Sequence, residues 1–162
     1  MRFLLFLLLF PLLPLFPESF SSFQQQNYTL HGNSLYRKAK DQCQKEYYQK
    51  CAGILREFIL VYSEHPEKNA AMELLSQVYK KNGMYSKSIG IDTGIYLENP
   101  GTEAGLKAYF QAAMSYIKIG EMVEARYILE KIQAQDISRN LADQAALELK
   151  VLKIISAKSD PI

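Results

Sequence analysis

Apolar and polar positions divide the chain into three stretches. Residues 3–16 read FLLFLLLFPLLPLF, apolar throughout, residues 23–33 are polar and without period, and from Asn33 onward apolar residues recur with helical spacing. Two stripes show the spacing i, i+3, i+4, i+7: Met72, Leu75, Ser76 and Tyr79, then Tyr109, Ala112, Ala113 and Tyr116. A glycine follows each stripe (Gly83, Gly120), where a left-handed residue ends a helix without steric cost. Second stripes then appear as Ser88, Ile91, Ile95 and as Ala125, Ile128, Leu129, Ile132, with an earlier relative in Cys51, Leu55, Phe58, Ile59. Pro66 and Pro100 close two of these segments, because proline disfavours helix in the residue before it, and Asn69 and Thr102 are placed to cap the helices that follow. The pattern predicts seven helices, at about 34–45, 47–63, 69–82, 85–97, 103–119, 121–134 and 139–156.

The helices repeat. Segments beginning at Glu46, Gly83 and Gly120 overlay with a period of 37, and periods of this size with paired helices mark stacked helical repeats. The run Leu75-Ser76-Gln77-Val78-Tyr79 and its echo Ala112-Ala113-Met114-Ser115-Tyr116, with the small residues Cys51, Ser88 and Ala125 and the closing Pro100, resemble the tetratricopeptide repeat (TPR). The chain departs from that pattern at Asp92, where a large apolar residue is expected, at Lys38 and Gln42, and at Ile137 in place of proline. The resemblance implies an all-α, right-handed α-solenoid of stacked antiparallel helix pairs. It would hold about three and a half repeats over residues 34–156, with a short tail at 157–162.

In this family the first helix of each pair lines a concave groove. Carried over position by position, the resemblance assigns to it Tyr36 and Lys40, then Glu73, Gln77 and Lys80, then Lys107, Phe110, Met114 and Lys118. Phe110 and Met114, flanked by lysines, would be apolar anchors for a bound peptide, or else pack on a neighbouring helix. The Lys-and-Asn carboxylate clamp of some TPR domains is unmatched, since Glu73 and Gln77 occupy that face. On the last helix, Leu141, Ala145, Leu149 and Leu152 form a stripe able to close the stack. Leu147, Val151 and Ile154 form another, which is either part of a wide core or an interface for a partner or a second copy.

The apolar start after Met1-Arg2 reads as a signal peptide over residues 1–21, cut near Ser21, because a spanning helix needs about 20 apolar residues and Pro11 and Pro14 interrupt this one. A flexible leader over 22–33 would follow, and the mature protein would be periplasmic or secreted. Together with His65-Pro66 and Asn99-Pro100, this resembles the periplasmic repeat domains of the Tol-Pal accessory protein and of the outer-membrane barrel assembly machinery. The expected role is a non-catalytic adaptor in the bacterial cell envelope binding a protein or peptide; the alternative is a structural subunit, or homo-oligomer, assembled through its C-terminal helix.

Composition adds exclusions. The 162 residues are 48% hydrophobic and 22% charged, a globular mix, and 19 Lys+Arg against 17 Asp+Glu leave +2, far from the concentrated charge of a nucleic-acid binder. No G-x-S-x-G, GxxxxGK[ST] or H-E-x-x-H occurs, and His31, His65, Cys43 and Cys51 have no metal-ligand spacing, so the reading contains no enzyme, metal or cofactor. Asp92 and Glu73 read as solvated side chains and His65 as a helix-end cap. Cys43 and Cys51 stand either in a disulfide across the first hairpin or as free thiols with Cys51 buried. An offset of half a turn to a turn between helices about 8–10 Å apart weighs against the bridge.

Overall fold

The structure, a computed structural model, describes residues 18–159, with side chains from 21 to 157. Seven helices and no strand occur among them: α1 (Glu18–Gln44), α2 (Tyr48–Val61), α3 (Lys68–Lys81), α4 (Tyr85–Glu98), α5 (Glu103–Ile119), α6 (Met122–Gln133) and α7 (Arg139–Ser159). Each packs on the next in chain order, giving the all-α solenoid of helix pairs that the repeats imply. The core is continuous in three parts. Tyr36, Leu55, Phe58 and Leu75 join α1, α2 and α3. Met72, Ile95 and Ala108 bridge α3, α4 and α5. Leu106, Ile128, Leu129, Leu141 and Leu152 close α5, α6 and α7.

Three corners turn the chain from a first helix into a second by one device. At each, a residue in the left-handed region lets two amides reach back to free carbonyls, as in a Schellman motif. Met84 N–H donates to Tyr79 O (2.8 Å) and Gly83 N–H to Lys80 O (3.0 Å). Glu121 N–H donates to Tyr116 O (3.0 Å) and Gly120 N–H to Ile117 O (3.2 Å). In the first corner Tyr47 N–H donates to Gln42 O (2.9 Å) and Glu46 N–H to Cys43 O (3.0 Å). Gly83 (φ 70°) and Gly120 (φ 87°) carry the left-handed conformation freely; Glu46 (φ 61°) carries it with a side chain.

That first corner holds a Cys43–Cys51 disulfide, with Cα atoms 5.2 Å apart. The expectation against a bridge assumed the spacing of helix axes. Both cysteines instead point into the seam beside the tight turn, where Cα atoms approach far more closely than axes do.

The first helix also differs from expectation. Residues 22–33 are no flexible leader but the upstream half of α1, which runs unbroken through Ser21 and Ser22. Tyr28 packs its ring on Tyr62 (centroids 5.0 Å), and its hydroxyl accepts from Glu64 N–H (3.2 Å). Gly32 lies so close to His65 that a Cβ there would stand 2.5 Å from the imidazole. His65 is therefore more than the helix-end cap expected of it. It is buried, its Nδ1 accepts from Glu67 N–H (3.1 Å), and its Nε2 donates to Thr29 O (3.3 Å), so it ties α1 to the α2–α3 loop. The short tail expected from 157 continues α7 to Ser159. Thr102 caps α5, accepting from Gly105 N–H (3.0 Å), whereas Asn69 lies inside α3, whose N-cap is Glu67. The signal-peptide core 3–16 lies outside the described residues, and among the described residues no helix is long and apolar enough to cross a membrane.

Candidate functional site

α3, α4 and α5 enclose a cleft of about 200 Å³, lined by Glu73, Gln77, Lys80, Asp92, Ala104, Lys107, Ala108 and Gln111. A second cleft of about 460 Å³ opens between α5 and α7, lined by Glu103, Ala104, Lys107, Phe110, Gln111, Asn140, Leu141 and Gln144. Ala104, Lys107 and Gln111 line both, so the two form one groove along α5. Buried Ala108 lies at the base of the first cleft, and exposed Ala104 sits at the rim that the two share. Carboxamides and paired opposite charges make the groove's walls. Gln144 Nε2 donates to Asn140 Oδ1 (2.9 Å) and Gln111 Oε1 accepts from Lys80, which orients these carboxamides; with Gln77 they keep further donor and acceptor capacity, the complement of an extended peptide backbone. At the α7 end Ser138 Oγ donates to Glu103 Oε1 (2.9 Å), fixing the start of α7 against α5.

Asp92 sits at the inner wall. It is buried, and its Oδ2 accepts from Lys80 Nζ at 3.0 Å, while the same ammonium donates to Gln111 Oε1 at 3.2 Å. Burial raises the Asp92 carboxyl above the ordinary aspartate value; the neighbouring Ser76 hydroxyl and Lys80 pull it back. The reading of Asp92 as a solvated side chain is thereby corrected. The bridge spans α3, α4 and α5, and it leaves Lys80 engaged inward.

Of the residues assigned from sequence, Glu73, Gln77, Lys80 and Lys107 come together in the first cleft, and Phe110 borders the second. Phe110 is only 8% exposed and belongs to the α5–α6–α7 core, and Met114 is half-buried against the same core. Neither is a free anchor. Tyr36 is buried, its ring 5.4 Å from Phe58, with the Lys40 ammonium 4.7 Å above it. Burial, and then the charges of Glu67 and Glu73, push the Tyr36 phenol up. Lys118 is exposed and borders neither cleft. Leu147 and Ile154 are 63% and 69% exposed, and Val151 is also open, so their stripe lies outside the core that Leu141, Ala145 and Leu152 complete. Sequence reasoning missed Gln111, Asn140, Gln144 and Asp92. The i, i+4 pairs Lys107/Gln111 and Asn140/Gln144, each on one face of its helix, carried the signal for three of them. Among the described residues no three His, Cys, Asp or Glu side chains come together as a metal site.

No family model and no curated protein matches the chain in sequence. In fold it is similar to several solved structures. One is a T3SS complex from Aeromonas hydrophila (16% identity, TM-score 0.63, 87% of this chain and 99% of that one). Another is the type III secretion translocator chaperone SycD of Yersinia enterocolitica, in an alternative dimer (17%, 0.60, 77% and 93%). A third is PcrH from Pseudomonas aeruginosa (16%, 0.59, 76% and 92%), a protein also solved in complex with the chaperone-binding region of PopD. These chaperones are TPR-like helical-repeat proteins, as the sequence resemblance implies. The expected periplasmic or secreted location is contradicted by these likenesses, which are to type III secretion proteins, and the cell-envelope setting finds no support in them. The finer resemblance to Tol-Pal accessory and outer-membrane assembly proteins finds no support among them.

Proposed function

We propose that this chain is a non-catalytic protein-binding adaptor that holds an extended segment of a partner protein along the concave side of α5. The observation that carries the reading is the groove made by two clefts sharing Ala104, Lys107 and Gln111, with carboxamide side chains along its walls. The like-folded PcrH, solved with the chaperone-binding region of PopD, adds weight from fold alone. Extended peptides suit such a wall, because each carboxamide meets both a backbone N–H and a backbone C=O. The test is a peptide selected on the full chain from a random display library and measured by fluorescence anisotropy. Ala104→Trp puts a large ring at the rim shared by both clefts and abolishes binding, whereas Val123→Ala, exposed on α6 and lining neither cleft, leaves it unchanged. Binding that survives Ala104→Trp sinks the reading. Phe110→Ala is the wrong probe, since it opens a cavity in the core.

A second reading rests on α7, whose exposed Leu147, Val151 and Ile154 form an apolar stripe outside the core. On this reading the chain self-associates through that stripe. Sedimentation of wild type against Leu147→Lys/Ile154→Lys tests it, with a wild-type monomer at micromolar concentration deciding against it.

A further inference from the structure

The three Schellman corners differ in one respect that the repeat does not require. The second and third place glycine in the left-handed position and have no crosslink: the residues equivalent to Cys43 and Cys51 are Lys80 and Ser88 in one, Ile117 and Ala125 in the other. The first places Glu46 there and has a disulfide across its base. A non-glycine residue in this conformation resists it and relaxes toward extended or right-handed backbone when free to do so. The Cys43–Cys51 bond, with its Cα atoms 5.2 Å apart, denies Glu46 that freedom.

We propose that the Cys43–Cys51 disulfide is a redox latch that holds the α1–α2 corner shut against the strain at Glu46, and that reduction opens this corner locally. A dithiol's thiolate attacks Sγ of half-buried Cys43, not of fully buried Cys51. The S–S bond breaks, Cys51 leaves as a thiolate and takes a proton, and the reagent's second thiol displaces Cys43 as a thiol. The protein gains two electrons and two protons, and the reagent becomes its cyclic disulfide. With the bond gone, Glu46 leaves the left-handed region, the Tyr47 and Glu46 amides release Gln42 and Cys43, and the downstream end of α1 lifts from α2. Opening stops short of the upstream half, which Tyr28, Gly32 and His65 fasten separately. The groove along α5 plays no part in this, so the latch stands or falls independently of the proposed partner binding.

Hydrogen–deuterium exchange on the full chain, oxidised and after dithiothreitol, is the test. Reduction of wild type accelerates exchange over residues 36–50 roughly tenfold or more and leaves 85–97 unchanged, the mark of local rather than global opening. Glu46→Gly removes the strain, so the same reduction produces less than half that acceleration. Cys43→Ala, which keeps Cys51 in its buried place, shows the reduced pattern without reagent. Three results overturn the latch: equal exchange in oxidised and reduced wild type, an undiminished response in Glu46→Gly, or acceleration of 85–97 together with 36–50.

Discussion

Asp92 occupies a position where the repeat pattern calls for a large apolar side chain, and its placement is the least expected feature of the groove. A buried carboxylate persists only when paired, and Lys80 supplies the pair at 3.0 Å. Removing one partner costs more than removing both, because a lone buried charge has nothing to offset its desolvation. Lys80→Ala is therefore expected to lower unfolding free energy by roughly 1–3 kcal/mol, discounted for the partial exposure of Lys80, and Lys80→Met/Asp92→Leu to recover most of it. Urea denaturation of the three proteins checks this, and a double variant as weak as Lys80→Ala would refute it. The pH dependence has a definite sign. Burial raises the folded-state value of Asp92 above the ordinary 3.8, so its contribution is fully present below 3.8 and is lost as pH rises through the raised value. Wild-type stability, measured against the double variant, should fall over that rise.

At the scale of elements, the helix ends were readable and their tertiary roles were not. Gly83, Gly120 and Thr102 mark ends because left-handed backbone and a side-chain acceptor for a free amide are local requirements. Gly120→Ala should cost about 1–2 kcal/mol through the left-handed conformation, and Thr102→Ala about 1 kcal/mol through the lost bond to Gly105, both measured by thermal unfolding. The sign reverses at the first corner, where Glu46→Gly should stabilise. The upstream half of α1 escaped notice because its apolar spacing is carried by Tyr28, Gly32 and Tyr36, an aromatic, a glycine and an aromatic, among glutamines. Only the aromatic cluster around His65 turns that sparse line into a buried face.

Across the whole molecule, stability is a sum of neighbour contacts, since each helix packs mainly on the next. α7 closes the last of them by burying Leu141, Ala145 and Leu152 against α5 and α6. Deleting 139–162 uncovers Leu129 and Ile132 and should lower the melting temperature, with exchange rising first in α5 and α6 and last in α2 and α3. Uniform acceleration along the chain would show that the stack behaves as one cooperative unit instead. By itself the sequence determined the number of helices, their pairing, their corners and the stacked-repeat architecture, because periodicity and caps depend on neighbours within a turn or two of helix. Four of the residues it singled out, Glu73, Gln77, Lys80 and Lys107, line one cleft. The tertiary structure alone decided that Phe110 and Met114 turn inward, that Asp92 is buried beside Lys80, that α7 lends Asn140 and Gln144 to the groove, and that Cys43 meets Cys51. Each of these depends on how closely and at what angle helices distant in sequence approach, and a one-dimensional pattern does not encode that.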